Sequence, residues 1–121
     1  MTRLMTTGFA LMLTTGMAFA EAPVKAMGGA MANADGMTLY TFDKDAEGVS
    51  NCNDACAGVW PPFMAAADAV GDDEYTIIDR ADGAKQWAYD GKPLYTFASD
   101  AAPGDMAGDG VKGVWHVLKA E

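Results

Sequence analysis

The chain repeats itself. Residues 35–45 read DGMTLYTFDKD and residues 90–100 read DGKPLYTFASD. The offset is 55, and it carries Gly58-Val59-Trp60 onto Gly113-Val114-Trp115 without a gap. Between 34–60 and 89–115, 12 of 27 positions are identical. This is the signature of two copies of one supersecondary unit, each too small to be a separate domain. The expectation is a small, mainly β, antiparallel domain over 34–121, built from two pseudo-symmetric repeats. The copies span 34–64 and 89–118 and are linked by 65–88.

Local signals agree with β structure. Asp-Gly pairs at 35–36, 82–83, 90–91 and 109–110 supply turns that favour positive φ. Between them Tyr75–Asp79, Lys85–Tyr89 and Leu94–Phe97 are rich in β-branched or aromatic residues. A hairpin is expected across Asp90-Gly91. A last strand over Gly113–Leu118 would alternate Val114, His116 and Leu118 with Trp115 and Val117. That pattern predicts a half-buried His116. A short helical or turn segment is expected near Cys52–Cys56, and Ala65–Ala69 reads as a helical turn or a linker. No shape follows from the pattern of the 101–110 loop.

The first twenty residues have the layout of a secretory signal peptide. Arg3 precedes an apolar stretch from Gly8 to Phe19, and Ala18-Phe19-Ala20 is a small-x-small cleavage site. Thr14, Thr15 and Gly16 interrupt a run already short for a membrane span, which needs ~20 apolar residues; an uncleaved anchor is the alternative. No cysteine lies near the cleavage site to carry a lipid. The expectation is a soluble, secreted or periplasmic protein without a lipid anchor or a transmembrane span after cleavage. Residues 21–33, small and glycine-containing, read as a flexible N-terminal tail.

Composition narrows the function classes. The net charge is −9 over 121 residues, which argues against nucleic acid as a partner. One histidine and two cysteines exclude zinc folds with several Cys/His ligands. Residues 21–121 hold only 15 Leu, Ile, Val and Phe but ten aromatic residues. An aromatic side chain buries ~150–250 Å², so a few can anchor a small core.

Tyr40 and Phe42 share one face of a strand, as do Tyr95 and Phe97. They read as aromatic core layers or, alternatively, as an exposed platform for a ligand such as a glycan. Asp45 and Asp100 follow at the same spacing and can accept turn N–H groups. Trp60 and Trp115 occupy equivalent positions and should be mostly buried. These residues form Tyr40-x-Phe42-x-x-Asp45 and Tyr95-x-Phe97-x-x-Asp100. Around them stand Asp54-x-Cys56-Ala57-x-x-Trp60-Pro61-Pro62, Trp87-x-Tyr89-x-Gly91-Lys92-Pro93-Leu94-Tyr95 and the ending Gly108-Asp109-Gly110-Val111-x-Gly113-Val114-Trp115-His116-Val117. Over roughly 28–118 the chain resembles the secreted-repeat family, the predicted lipoproteins with a Yx(F/W/Y)xxD motif. The resemblance implies a compartment outside the cytoplasm and no known activity. The lipid-bearing cysteine implied by the family's name is absent here, so anchoring is not carried over. The second repeat also lacks the cysteine pair.

Cys52 and Cys56 read as a structural disulfide in an oxidising compartment. If reduced, the pair suits Cu(I), with Met106, His116, Met27, Met31 or Met64 as soft or imidazole partners. The spacing disfavours thioredoxin-type redox work and haem attachment. Asp43, Asp45 and Glu47 resemble the opening of a calcium loop, but Asp54 stands where a bidentate Glu belongs. Asp105 and Asp109 make a second acidic loop. With a single histidine and no paired acid/base signature, no catalytic residue is expected. The function expected is a non-enzymatic secreted module, monomeric, that binds an envelope or extracellular partner. The alternative is a periplasmic copper or calcium binder, and a thiol redox protein comes third.

Overall fold

A computed structural model describes residues 22–120. The expected signal peptide, 1–20, lies outside the described residues. The rest is mainly β, as the repeat suggested: three small antiparallel sheets and one helical turn.

The first sheet corrects the expected tail. β1 (Val24–Met27) and β2 (Ala30–Asn33) form a hairpin, turning at Gly28 and Gly29 with φ of 62° and 86°. Ala30 and Ala32 are buried. Their small size, which made the segment look featureless, lets other backbones come close. Ala32 bridges Thr38 and Ala30 bridges Lys119. Met31 N–H donates to Leu118 O at 2.8 Å, and Leu39 N–H donates to Met31 O at 2.9 Å. β2 therefore binds both the start of the first repeat and the end of the second.

β3 (Tyr40–Phe42) begins the first repeat's motif. It pairs with β7 (Trp115–Val117), the end of the second, in the register Tyr40↔Val117, Thr41↔His116 and Phe42↔Trp115. Between them in sequence, α1 (Ala55–Val59) is a single helical turn, where one was expected. The third sheet holds β4 (Tyr75–Asp79), β5 (Lys85–Tyr89) and β6 (Lys92–Pro93). The β5–β6 turn is Asp90-Gly91, with φ of 52° and 82°, the two positive values of a type I′ hairpin. The expected strand Leu94–Phe97 does not form: β6 covers only the two residues before it, Lys92–Pro93. The chain leaves the sheet after Pro93, and Tyr95 turns to bridge both Tyr40 and Pro62.

Side-chain alternation divides the interior in two. Leu39 and Leu94 enter a cluster with Phe63, Tyr75 and Trp87. Tyr40 and Tyr95, their immediate neighbours, enter a second cluster with Trp60, Trp115, Cys52 and Val117. Among the described residues no helix is long and apolar enough to cross a membrane.

Candidate functional site

The motif residues meet at the centre of the second cluster. Tyr40 N–H donates to Tyr95 O at 2.8 Å, and Tyr95 N–H returns the bond to Tyr40 O at 3.0 Å. Asp43 N–H reaches Val114 O at 2.8 Å, and Ala98 N–H reaches Val59 O at 2.9 Å. Every one of these bonds joins one copy of the repeat to the other.

The side chains follow the same rule. The Tyr40 hydroxyl donates to Asp100 Oδ2 at 2.7 Å, and the Tyr95 hydroxyl donates to Asp45 Oδ2 at 2.7 Å. Each aspartate thus accepts from the tyrosine of the other copy. Each also performs the turn role expected from sequence: Asp45 Oδ1 accepts the Asn51 N–H and Asp100 Oδ1 the Ala107 N–H. Burial, reinforced by the facing carboxylates, pushes both phenols well above their ordinary 10.0. Burial also raises the Asp45 carboxyl, against the Asn51, Tyr95 and Arg80 groups that favour its charged form.

The rings form one continuous stack. Phe97 lies on Trp60 at 4.1 Å between centroids, Trp60 on Trp115 at 3.7 Å, and Trp115 on Phe42 at 4.2 Å. Tyr40 meets Trp60 edge-on at 5.3 Å, and Tyr95 meets Trp115 edge-on at 5.2 Å. Offset-stacked and edge-to-face contacts of this kind add about 0.5–1.5 kcal/mol beyond area burial. Trp60 and Trp115 are buried as expected, at 4% and 3% exposure. Phe42 and Phe97, at the two ends, are only half-buried. The motif aromatics therefore serve as core and as surface together.

All four rings border an open cleft of about 460 Å³. Val59, Val111, Val114 and Cys56 add apolar wall, and Lys44 and Lys112 supply its charge. Lys112 sits in the 3₁₀ turn Val111–Gly113 at φ 54°, the left-handed region that side chains rarely adopt. Other clefts differ in sign. Asp43, Asp45, Glu47 and Asp90 border one beside Gly91.

The other predicted site residues are distributed as follows. Cys52 and Cys56 are joined as a disulfide, with Cα atoms 5.1 Å apart. Cys52 is wholly buried and Cys56 faces the cleft. His116 is exposed rather than half-buried. Trp115 and Val117 take the inward face of β7, so the residue between them points outward. There His116 Nε2 lies 2.8 Å from Asp43 Oδ2. Met106 is exposed, beside the Gly28 turn. The copper candidates Cys52, Cys56, His116 and Met106 thus each have other neighbours. Of the calcium candidates, Asp43 is held by His116, Asp45 by Tyr95, and Glu47 lies against Gly91. Asp105 and Asp109 accept backbone N–H groups of Ala101, Ala102 and Val117. Among the described residues no group of three or more His, Cys, Asp or Glu is placed to hold a metal ion.

Sequence reasoning missed one network. Arg80 is buried; its Nη1 donates to Ser50 Oγ at 3.1 Å and to Gln86 Oε1 at 2.7 Å. Its Nη2 donates to Cys52 O at 2.9 Å and to Asn53 Oδ1 at 3.0 Å. Ser50 Oγ in turn lies 2.6 Å from the Tyr95 hydroxyl. The one available signal was that Arg80 is the sole arginine after Arg3.

No curated protein and no solved structure matches the chain. One family pattern matches it twice, over residues 24–64 and 76–119. The first match includes β1 and β2, in keeping with their part in the fold. With two matched segments across most of its length, the chain belongs to the family described as a secreted repeat of unknown function.

Proposed function

We propose that this protein is a non-enzymatic binding module of the cell envelope or the extracellular space. In this reading residues 1–20 are removed on export and the remainder works as a monomer. One observation carries the proposal: the cleft over the Phe42, Trp60, Phe97 and Trp115 rings. A chain with few aliphatic residues leaves apolar ring surface open to solvent beside Val59, which is 48% exposed. Two half-buried phenylalanine rings and an exposed valine gathered on one concave surface make a place where an apolar ligand can bind. The cleft is within the size range of small-molecule sites, ~300–1,000 Å³.

The test is a ligand screen read by intrinsic tryptophan fluorescence, since two of the three tryptophans line the cleft. Ligands are expected to shift the emission of the parent protein and not that of Val59→Glu. That substitution puts a carboxylate into the cleft from an exposed position, without altering the core. A shift that survives Val59→Glu places binding elsewhere and removes the reading.

A further inference from the structure

We propose that the cleft takes a small aromatic anion: a flat apolar body bearing one carboxylate or sulfonate. The inference rests on the binding reading above and adds the chemical class of the ligand. The argument starts from charge. The chain carries 17 acidic and 8 basic side chains, so an arbitrary concave surface on it should be acidic. The clefts beside Gly91 follow that expectation, with Asp43, Asp45, Glu47 and Asp90 against Lys92 on one and Glu47, Asp73 and Asp90 on another. The aromatic cleft departs from it. No carboxylate lines it, and its two charged residues are both lysines.

Those lysines are available to a ligand. Among the described residues the ion pairs are Lys85–Asp79 and His116–Asp43, so neither Lys44 nor Lys112 is neutralised by an acid. A like-charged pair without counter-charge favours an anion brought between or beside its members. The remaining wall is apolar, made of ring surface and valine. A ligand that satisfies both halves needs a hydrophobic body and a negative group. Aromatic bodies suit the wall best, because Phe42 and Phe97 offer half-exposed ring surface at the ends of the stack. The volume matches that of small-molecule sites.

A matched pair of fluorescent probes tests the class. 8-Anilinonaphthalene-1-sulfonate carries the anion; N-phenyl-1-naphthylamine has the same aromatic body without it. Both are titrated into the purified protein, into Lys44→Ala/Lys112→Ala and into Val59→Glu, with near-ultraviolet circular dichroism verifying native packing. The sulfonate should bind the parent protein more tightly than the neutral probe. Loss of both lysines should weaken the sulfonate about tenfold, roughly threefold for each exposed charge contact, and leave the neutral probe unchanged. Added salt should likewise weaken only the sulfonate. Val59→Glu should abolish both. If the two probes bind alike and the lysine substitutions change nothing, the anion class is wrong while the cleft remains a binding site. If neither probe binds, or Val59→Glu affects neither, the cleft reading fails, and the ligand class with it.

Discussion

Trp60 and Trp115 lie face to face, with centroids 3.7 Å apart and planes within 4° of parallel. They are 55 residues apart and occupy the same position in the two copies of the repeat. Each also carries a phenylalanine from the other copy on its outer face. Replacing either indole by leucine should destabilise the protein by about 2–5 kcal/mol, the range for truncating a large core side chain. The two losses should not add. The double variant should recover about 0.5–1.5 kcal/mol of the sum, because the second change removes a contact already lost. Urea unfolding of the three variants measures this, and strict additivity would mean that the stack contributes only area.

The exchange of tyrosines and aspartates makes a sharper test. Tyr40→Phe and Tyr95→Phe should each cost about 1.5–3 kcal/mol, since each removes a hydrogen bond to a carboxylate, buried for Tyr40 and partly buried for Tyr95. In double-mutant cycles, Tyr40→Phe should couple with Asp100→Asn by about 1 kcal/mol or more. Its coupling with Asp45→Asn, in its own copy, should be much smaller. Equal coupling in both cycles would refute the crossed pairing.

Alkaline pH should unfold the protein through the same phenols. Their folded values lie well above 10.0, while in the unfolded chain they release protons near that ordinary value. Below pH 10 neither state loses a phenolic proton, and the full stability is present. Above it the unfolded chain releases protons that the folded one keeps, so stability falls as pH rises toward the folded values. Each phenol contributes a slope of about 1.4 kcal/mol per pH unit. Denaturant titrations at several alkaline pH values should show that slope, reduced by one such increment in Tyr95→Phe.

Gly108 should resist substitution for a reason unrelated to its backbone angles. A Cβ there would stand 2.6 Å from Trp60 Cη2 and 3.0 Å from Phe97 Cδ2, both held in the ring stack. Its N–H also donates to the Tyr40 hydroxyl at 3.1 Å. Gly108→Ala is expected to cost about 1–3 kcal/mol by overpacking, read as a lowered Tm. An unchanged Tm would show that the stack can slide.

Reduction of Cys52–Cys56 should lower stability by about 2 kcal/mol, the small entropy of closing so short a loop. Arg80→Ala should cost more, about 3 kcal/mol, because Cys52 O and Gln86 Oε1 lose a charged donor in a buried setting. Thermal melts with and without a thiol reductant, and of the Arg80 variant, rank the two. The reverse order would make the disulfide the principal support of this corner.

The parts legible in sequence were those with a local cause. Asp90-Gly91 announces its hairpin because only certain residues adopt two positive φ values in succession. Tyr75–Asp79 and Lys85–Tyr89 announce strands through their β-branched and aromatic content. The hairpin of β1 and β2 has no such cause. Alanine, glycine and methionine have little strand preference, and β2 is held by Leu39, across the turn that follows it, and by Leu118 at the far end of the chain. The crossed Tyr–Asp bonds were illegible for another reason. When two copies carry the same motif, either aspartate could serve either tyrosine, and only the fold decides. His116 was legible from Trp115: once the indole takes the inward face, alternation turns its neighbour outward, against the half-buried position expected from Val114 and Leu118. The cleft depended on Lys44 and Lys112, 68 positions apart and both at variable positions of the repeat.

The crossed bonds also bear on how such a repeat can exist. A single copy has a tyrosine proton to give and an aspartate to receive one, and in this chain neither need is met at home. The contacts are self-complementary: what one copy offers, an identical copy accepts. That is the defining property of an isologous dimer interface. A relative with only one copy of the motif should therefore assemble from two molecules what this protein assembles from one. Here the segment between the copies replaces concentration with tethering, and the pairing holds however dilute the protein becomes.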